Sequence, residues 1–165
     1  MSDTRIAVYT GSFDPITLGH SNVIERGSRL VDTLIVGIGV NVEKQSLFTP
    51  QERVELVQRV TQPLGNVEVH AFSGLAVNFV RQMGAHVMLR GIRPLTDMEA
   101  EITMTLANRQ LDPTIETVFL MADDKYSHVS SSLIKQIAPL AGDKELAKFV
   151  PSEVVEALRR KIGAS

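Results

Sequence analysis

The stretch Gly11-Ser12-Phe13-Asp14-Pro15-Ile16-Thr17-Leu18-Gly19-His20 holds the residues best suited to chemistry. Gly11 lets a ligand approach the backbone closely. The helix expected to follow offers free N–H groups to an anion. His20 lies three residues past Thr17, one turn into that helix, and can face the same ligand. A lone histidine near a helix start is more often only a cap or a solvated group. Its combination with Gly11 and Ser12 turns the reading toward a phosphate. The stretch is not a P-loop, because G-x-x-x-x-G-K-[ST] is absent. Nor is it a dinucleotide fingerprint, since Gly37-Ile38-Gly39 lacks the third glycine.

Other polar groups follow other apolar runs. Lys44 can screen repulsion between two anions. Arg90 and Arg93 flank Gly91-Ile92, and paired guanidinium groups suit phosphate recognition. Here the spacing predicts that Arg90 ends a strand and that Arg93 lies past a turn at Gly91, close to the next helix. Ser130-Ser131-Ser132 offers hydroxyls and amides, although a serine-rich helix cap explains it equally well. Asp123 and Asp124 are adjacent on a loop and read as a solvated pair rather than a metal site. No carboxylate cluster has metal-ligand spacing.

Strand-like and helix-like segments alternate to position these groups. The strands are expected at Ile6–Tyr9, Thr33–Ile38, Val67–Ala71, Val87–Leu89 and Thr117–Met121. Helices are expected over Thr17–Leu30, from Thr49, near Ala76–Met83, over Asp97–Asn108, over Ser131–Ile137 and from Pro151. Val23, Ile24 and Leu30 can share a helix face. Thr49-Pro50-Gln51-Glu52 reads as a capping box with proline at the first helical position. Continuous apolar runs with helical crossovers predict one doubly wound, Rossmann-like domain over residues 1–165, a five-stranded parallel sheet with helices on both faces. C-terminal helices at about 143–162 should pack on it. In such sheets ligands sit beyond the carboxyl ends of the strands.

Composition narrows the function further. With 17 basic against 19 acidic residues, a formal charge of −2, the chain lacks the basic excess of a nucleic-acid binder. It has no cysteine, which removes disulfides, thiolate catalysis and cysteine metal sites. No apolar run approaches a membrane span, and the opening residues are too short for a signal peptide, so a cytoplasmic location is expected.

G-S-F-D-P-x-T-x-G-H resembles the opening of the bacterial phosphopantetheine adenylyltransferases, within the nucleotidylyltransferase superfamily. The likeness continues through Asn41-Val42-Glu43-Lys44, Phe48-Thr49, Glu52-Arg53 and Phe72-Ser73-Gly74-Leu75. It then covers Arg90-Gly91-Ile92-Arg93, Asp97-Met98-Glu99-Ala100-Glu101 and Val129-Ser130-Ser131-Ser132-Leu133. This resemblance implies transfer of the AMP part of ATP to 4′-phosphopantetheine, giving dephospho-coenzyme A and pyrophosphate by direct in-line attack. It implies catalytic roles for His20, Ser12, Lys44 and Arg93. ATP would meet Ser12, Phe13, His20, Gly91, Ile92, Arg93, Glu101 and the segment Tyr126, Ser127, His128, Val129, Ser130, Ser131 and Ser132. The acceptor would meet Ser12, Lys44, Ala76 and Arg90. Mg2+ would arrive held mainly by the ATP phosphates. A homohexamer and feedback binding of coenzyme A are further implications.

The chain departs from the family's pattern at Thr10 and Val42, often Pro, at Met98 and Ala100, usually aromatic, and at His128, where an aromatic is common. These changes thin the wall expected around adenine and pantetheine. Alternatives are another nucleotidylyltransferase, acting on nicotinate mononucleotide or an alcohol phosphate, a non-catalytic nucleotide-binding module, and a flavodoxin-like binding protein.

Overall fold

The first two strands bury both faces, which is why their sequences read as unbroken apolar runs. The computed structural model describes residues 4–93 and 98–163, so Asp97, expected at a helix start, lies outside the described residues. The strands β1 (Ile6–Gly11), β2 (Thr33–Gly39), β3 (Val67–Phe72), β4 (Val87–Ile92) and β5 (Glu116–Met121) form one parallel sheet in the order β3-β2-β1-β4-β5. Helices α1 (Leu18–Ser28), α2 (Pro50–Thr61), α3 (Ala76–Gln82) and α4 (Met98–Leu111) form the crossovers, and α5 (Ser131–Ile137), α6 (Asp143–Leu146) and α7 (Ser152–Ile162) follow the last strand. This is the doubly wound architecture that the alternation predicts.

Residue parity divides the core. Ala7, Tyr9, Leu34, Val36, Ile38 and Leu89 join one buried cluster with residues of α1, α2, α5 and α7. Val8, Ile35 and Met88 join a second with Val77, Phe79 and Val80 of α3. Gly37 faces this second cluster, where a Cβ would stand 2.4 Å from the Phe79 ring. On the first face, α7 packs on α2 and Lys161 pairs with Glu52 at 2.8 Å. The expected capping box at α2 is present: Thr49 N–H donates to Glu52 (2.7 Å) and Glu52 N–H to the Thr49 hydroxyl (3.2 Å).

Two boundaries differ from the sequence expectation. Helix α1 ends at Ser28, where the Arg29 N–H turns back to the Arg26 carbonyl (3.3 Å) and the Leu30 N–H to that of Gly27 (3.0 Å). Leu30 is therefore off the helix and 52% exposed, and does not share the face of Val23 and Ile24. Strand β4 also runs past Leu89. Arg90, Gly91 and Ile92 pair with Phe119, Leu120 and Met121, because a backbone ladder continues whatever the side chains are. There is no turn at Gly91.

Asp112 joins α4 to β5. One carboxylate oxygen accepts from the Thr114 N–H (3.0 Å) and hydroxyl (2.6 Å), the other from the Arg81 guanidinium, and the residue is 3% exposed. Chiefly the Thr114 hydroxyl, then Arg81, hold its pKa down to about 2 from 3.8. A carboxyl whose folded pKa is depressed contributes stability above its unfolded pKa and loses it as pH falls through the folded value. Asp112→Asn should therefore lower the urea midpoint at neutral pH. The gap to the parent should close between pH 3.8 and about 2 in titrated urea melts.

Candidate active site

The loop after β1 is built by a few interlocking contacts. Phe13 has a positive φ of 47°, unusual for a residue with a Cβ, and its buried ring lies edge-on to Tyr9 (5.3 Å) and tilted against His20 (4.9 Å). A Cβ at Gly11 would stand 2.9 Å from that ring, so only glycine lets the loop close this tightly. With its side chain buried, Phe13 can meet a ligand only through its backbone.

Thr17 then caps α1, accepting the His20 N–H at 3.3 Å, and the ring answers: the Thr17 N–H donates to His20 Nδ1 at 3.1 Å. This is a capping box with histidine in place of the usual Glu or Gln. A backbone N–H can only donate, so Nδ1 is the acceptor and the imidazole proton sits on Nε2. Histidine becomes a fixed donor rather than a base. Of the remaining first-turn amides, Leu18 N–H donates to the Phe149 carbonyl (2.9 Å) and Ser21 N–H to the Thr17 carbonyl (3.0 Å). That of Gly19 borders the same cavity as His20.

Arg90 and Arg93 differ by an odd number of residues, and their bonds run to different walls. Arg90 points to the α4 side. Its Nε and Nη2 hold Glu101 at 2.8 and 2.6 Å, while Nη1 donates to the Thr10 carbonyl and hydroxyl. Thr10, a position where proline would offer no hydroxyl, thus helps hold the guanidinium. Arg93 donates instead to the Val129 carbonyl at 3.2 Å, on the α5 side. Opposite parity, rather than a turn at Gly91, separates the two cations.

The segment after β5 forms the far wall. Ser130 caps α5 by accepting the Leu133 N–H (3.0 Å), and the Ser131 hydroxyl donates to the Pro15 carbonyl (2.8 Å). The Ser131 hydroxyl thus braces the wall to the first loop, while that of Ser130 is spent on the cap. Asp123 and Asp124 are both exposed, as the solvated reading expects, and Asp123 is also tethered to α1, accepting from Asn22 at 2.9 Å and pairing with Arg26 at 3.4 Å.

These walls enclose a cavity of about 320 Å³ lined by Ser12, His20, Arg90, Gly91, Ile92, Arg93, Glu101, Tyr126, Val129, Ser130, Ser131 and Ser132. It lies beyond the carboxyl ends of β1 and β4, where strand order reverses. Other anticipated residues stand outside it. Ser127 does not line it, and His128 turns away to pack edge-on against Phe149 (5.9 Å). Lys44 is exposed on a loop folded around Asn41 and borders a neighbouring cavity, and Ala76 begins α3. Thr10, Thr17 and Gly19 line the main cavity without having been singled out as ligands. Thr17 carries a legible signal, its capping distance from His20. Among the described residues no group of three or more His, Asp or Glu could hold a metal ion.

A strand-order reversal with phosphate donors at a helix start defines a nucleotide-handling α/β protein, and comparison with known proteins agrees. A cytidylyltransferase-like family model matches residues 8–137. A phosphopantetheine adenylyltransferase from Rhodopirellula baltica is 64% identical over 96% of this chain and 89% of its own length. One from Clostridium botulinum (strain Eklund 17B / Type B) is 48% identical over 95% of this chain and 98% of its own. In structure, nicotinic acid mononucleotide adenylyltransferase from Plasmodium falciparum superposes with a TM-score of 0.70 at 13% identity, over 95% of each chain, a likeness of fold alone. The chain belongs to the phosphopantetheine adenylyltransferase family of nucleotidyltransferases.

Proposed function

We propose that this protein transfers the adenylyl group of ATP to 4′-phosphopantetheine, releasing pyrophosphate, by direct in-line attack with no covalent enzyme intermediate. The observation that carries the mechanism is the fixed Nε2–H tautomer of His20 in a cavity that also holds Arg90 and Arg93. The acceptor is a phosphate monoester with a second pKa of about 6, so it is largely dianionic at neutral pH. It needs no general base. One of its oxygens bonds to the α-phosphorus of ATP as the bond to the β-phosphate oxygen breaks and pyrophosphate leaves.

What the protein supplies is alignment and charge. His20 Nε2–H and the Gly19 amide donate to the α-phosphate as negative charge builds there. Ser12 orients both substrates, Arg93 meets the triphosphate, and Arg90 and Lys44 receive the acceptor phosphate. Arg90 reaches its place through Glu101 and Thr10. Lys44 comes in from its exposed loop.

The described residues form no carboxylate cage for Mg2+, Glu101 being held by Arg90 and Asp123 by Asn22 and Arg26. The ion would travel with the ATP phosphates and water, and would neutralise charge on the departing pyrophosphate. Met98, Ile102 and Leu106 stand four residues apart along α4, all exposed, and α4 buries no residue. That stripe supports a homo-oligomer, here a homohexamer. Among the described residues no helix is long and apolar enough to cross a membrane, consistent with work in the cytoplasm. Coenzyme A, which shares the pantetheine arm, binds back as a feedback ligand.

The deciding experiment is pyrophosphate release from ATP against a panel of phosphorylated acceptors. Turnover should be highest with phosphopantetheine and absent with pantetheine lacking its phosphate. Faster turnover with nicotinate mononucleotide would overturn the acceptor. Arg93→Ala should weaken ATP binding about ten- to hundredfold, the scale of one charge-assisted contact, and leave binary phosphopantetheine binding nearly unchanged in calorimetry. Arg93→Lys should recover only part of the loss, because a point charge cannot reproduce the planar fork.

A further inference from the structure

Arg53, in the first turn of α2, is 2% exposed and stands behind the loop that carries Ser12. Its Nη1 donates to the Ser12 carbonyl at 2.8 Å and to the Gly39 carbonyl, at the end of β2, at 3.2 Å. Its Nε is buried without a hydrogen-bond partner. Among the described residues it forms no ion pair. The nearby buried carboxylate of Asp14 is occupied by Lys135 at 2.7 Å and by the Leu47 and Phe48 N–H groups, both at 2.8 Å. Every other buried charge named above has an opposite partner. A buried guanidinium answered only by two carbonyls is costly, since desolvation is not offset by a counter-charge.

The position suggests what offsets it. On one side Arg53 reaches the backbone of Ser12, which lines the main cavity. On the other it borders the cavity beneath the Lys44 loop, a cavity whose lining includes Lys44 and Lys161 but no Asp or Glu. Arg53 therefore lies between the main cavity and the loop that carries Lys44. We propose that Arg53 is a positioning residue whose buried charge is balanced by substrate phosphate bound across Ser12, so that it raises phosphate affinity without touching the ligand. The proposal rests on the reading of the main cavity as a nucleotide phosphate site.

Two variants separate charge from bracing. Arg53→Gln keeps a donor for the carbonyls and removes the charge. Arg53→Lys keeps the charge and loses the fork. Calorimetry with ATP and with inorganic pyrophosphate, over a salt series, reads both. Arg53→Gln should bind each probe about tenfold more weakly, as for one unit charge acting across several ångströms at an effective dielectric near about 20, with a flatter salt dependence. Arg53→Lys should stay within about threefold of the parent. Parent-like binding by Arg53→Gln, or equal losses in both variants, would overturn the proposal and leave Arg53 as a brace. If Arg53→Gln does not fold, Arg53→Lys still decides, because a tenfold loss there refutes a charge effect. Pyrophosphate release by the parent is scored separately. Its absence with phosphopantetheine overturns the proposed reaction, whereas the binding arms report on Arg53.

Discussion

His20→Ala is expected to lower turnover by about 10²- to 10³-fold, the range for one lost transition-state donor, while ATP binding weakens far less. The asymmetry follows from the geometry. In the ground state the α-phosphate can draw on the Gly19 amide and the cations around it. Only when charge accumulates there during bond exchange does a fixed Nε2–H add its full share. Alanine also removes the acceptor for the Thr17 N–H, so the first turn of α1 loses one of its reciprocal caps, at about 1 kcal/mol. His20→Glu is the informative control. Its carboxylate restores the cap in its usual chemical form but carries no donor for the place where Nε2–H stood, so stability should return and turnover should not. Steady-state pyrophosphate release beside thermal melts measures both. Turnover within a few-fold of the parent in His20→Ala would remove the histidine from the mechanism.

Arg90→Ala should show a large combined effect on stability and on the acceptor. It strips Glu101, whose side chain is 15% exposed, of its bidentate partner and takes the donor from the Thr10 carbonyl. Removing one member of a fully buried pair costs about 3–5 kcal/mol. With Arg90 itself 26% exposed, about 2–3 kcal/mol is expected. Activity should fall as well, mainly through a higher KM for phosphopantetheine. The double variant Arg90→Met with Glu101→Leu divides the two losses. Apolar replacement of a whole pair is often nearly neutral, so the melting temperature should recover while acceptor binding stays poor. Recovery of both would mean that Arg90 serves the fold alone.

Particular residues show how far the sequence could be read. The parallel sheet was legible because β1 and β2 bury both faces and so carry unbroken apolar runs. The α2 start was legible because Thr49, Pro50 and Glu52 act locally. The same spacing joins Thr17 to His20, yet a ring nitrogen standing in for a carboxylate is not a usual cap, so the histidine's tautomer emerges only from the structure. The course of β4 through Arg90 was hidden because ladder bonds belong to the backbone, not to side-chain type. Glu101 was legible as a ligand only through the family resemblance, and its bond to Arg90 emerges only from the structure. Asp14 and Arg53 fall in stretches that the resemblance covers, yet their burial was not legible, since their partners come from segments distant in sequence.

The strand order has one more consequence. Strands β1 and β2 pair from Ile6 to Gly11, but β1 and β4 pair only from Ala7 to Tyr9 against Val87 to Leu89. Past Tyr9 the ladder across the middle of the sheet stops, and the Arg90 side chain takes the Thr10 carbonyl in its place. Backbone pairing along the centre line of the sheet is thus open at this end, with β1, β2 and β3 on one leaf and β4 and β5 on the other. A ligand lying between Ser12 and Arg93 spans both leaves where backbone pairing has ended. Substrate then acts as the missing rung, and amide exchange at the open end of this seam should slow on binding more than anywhere else in the sheet.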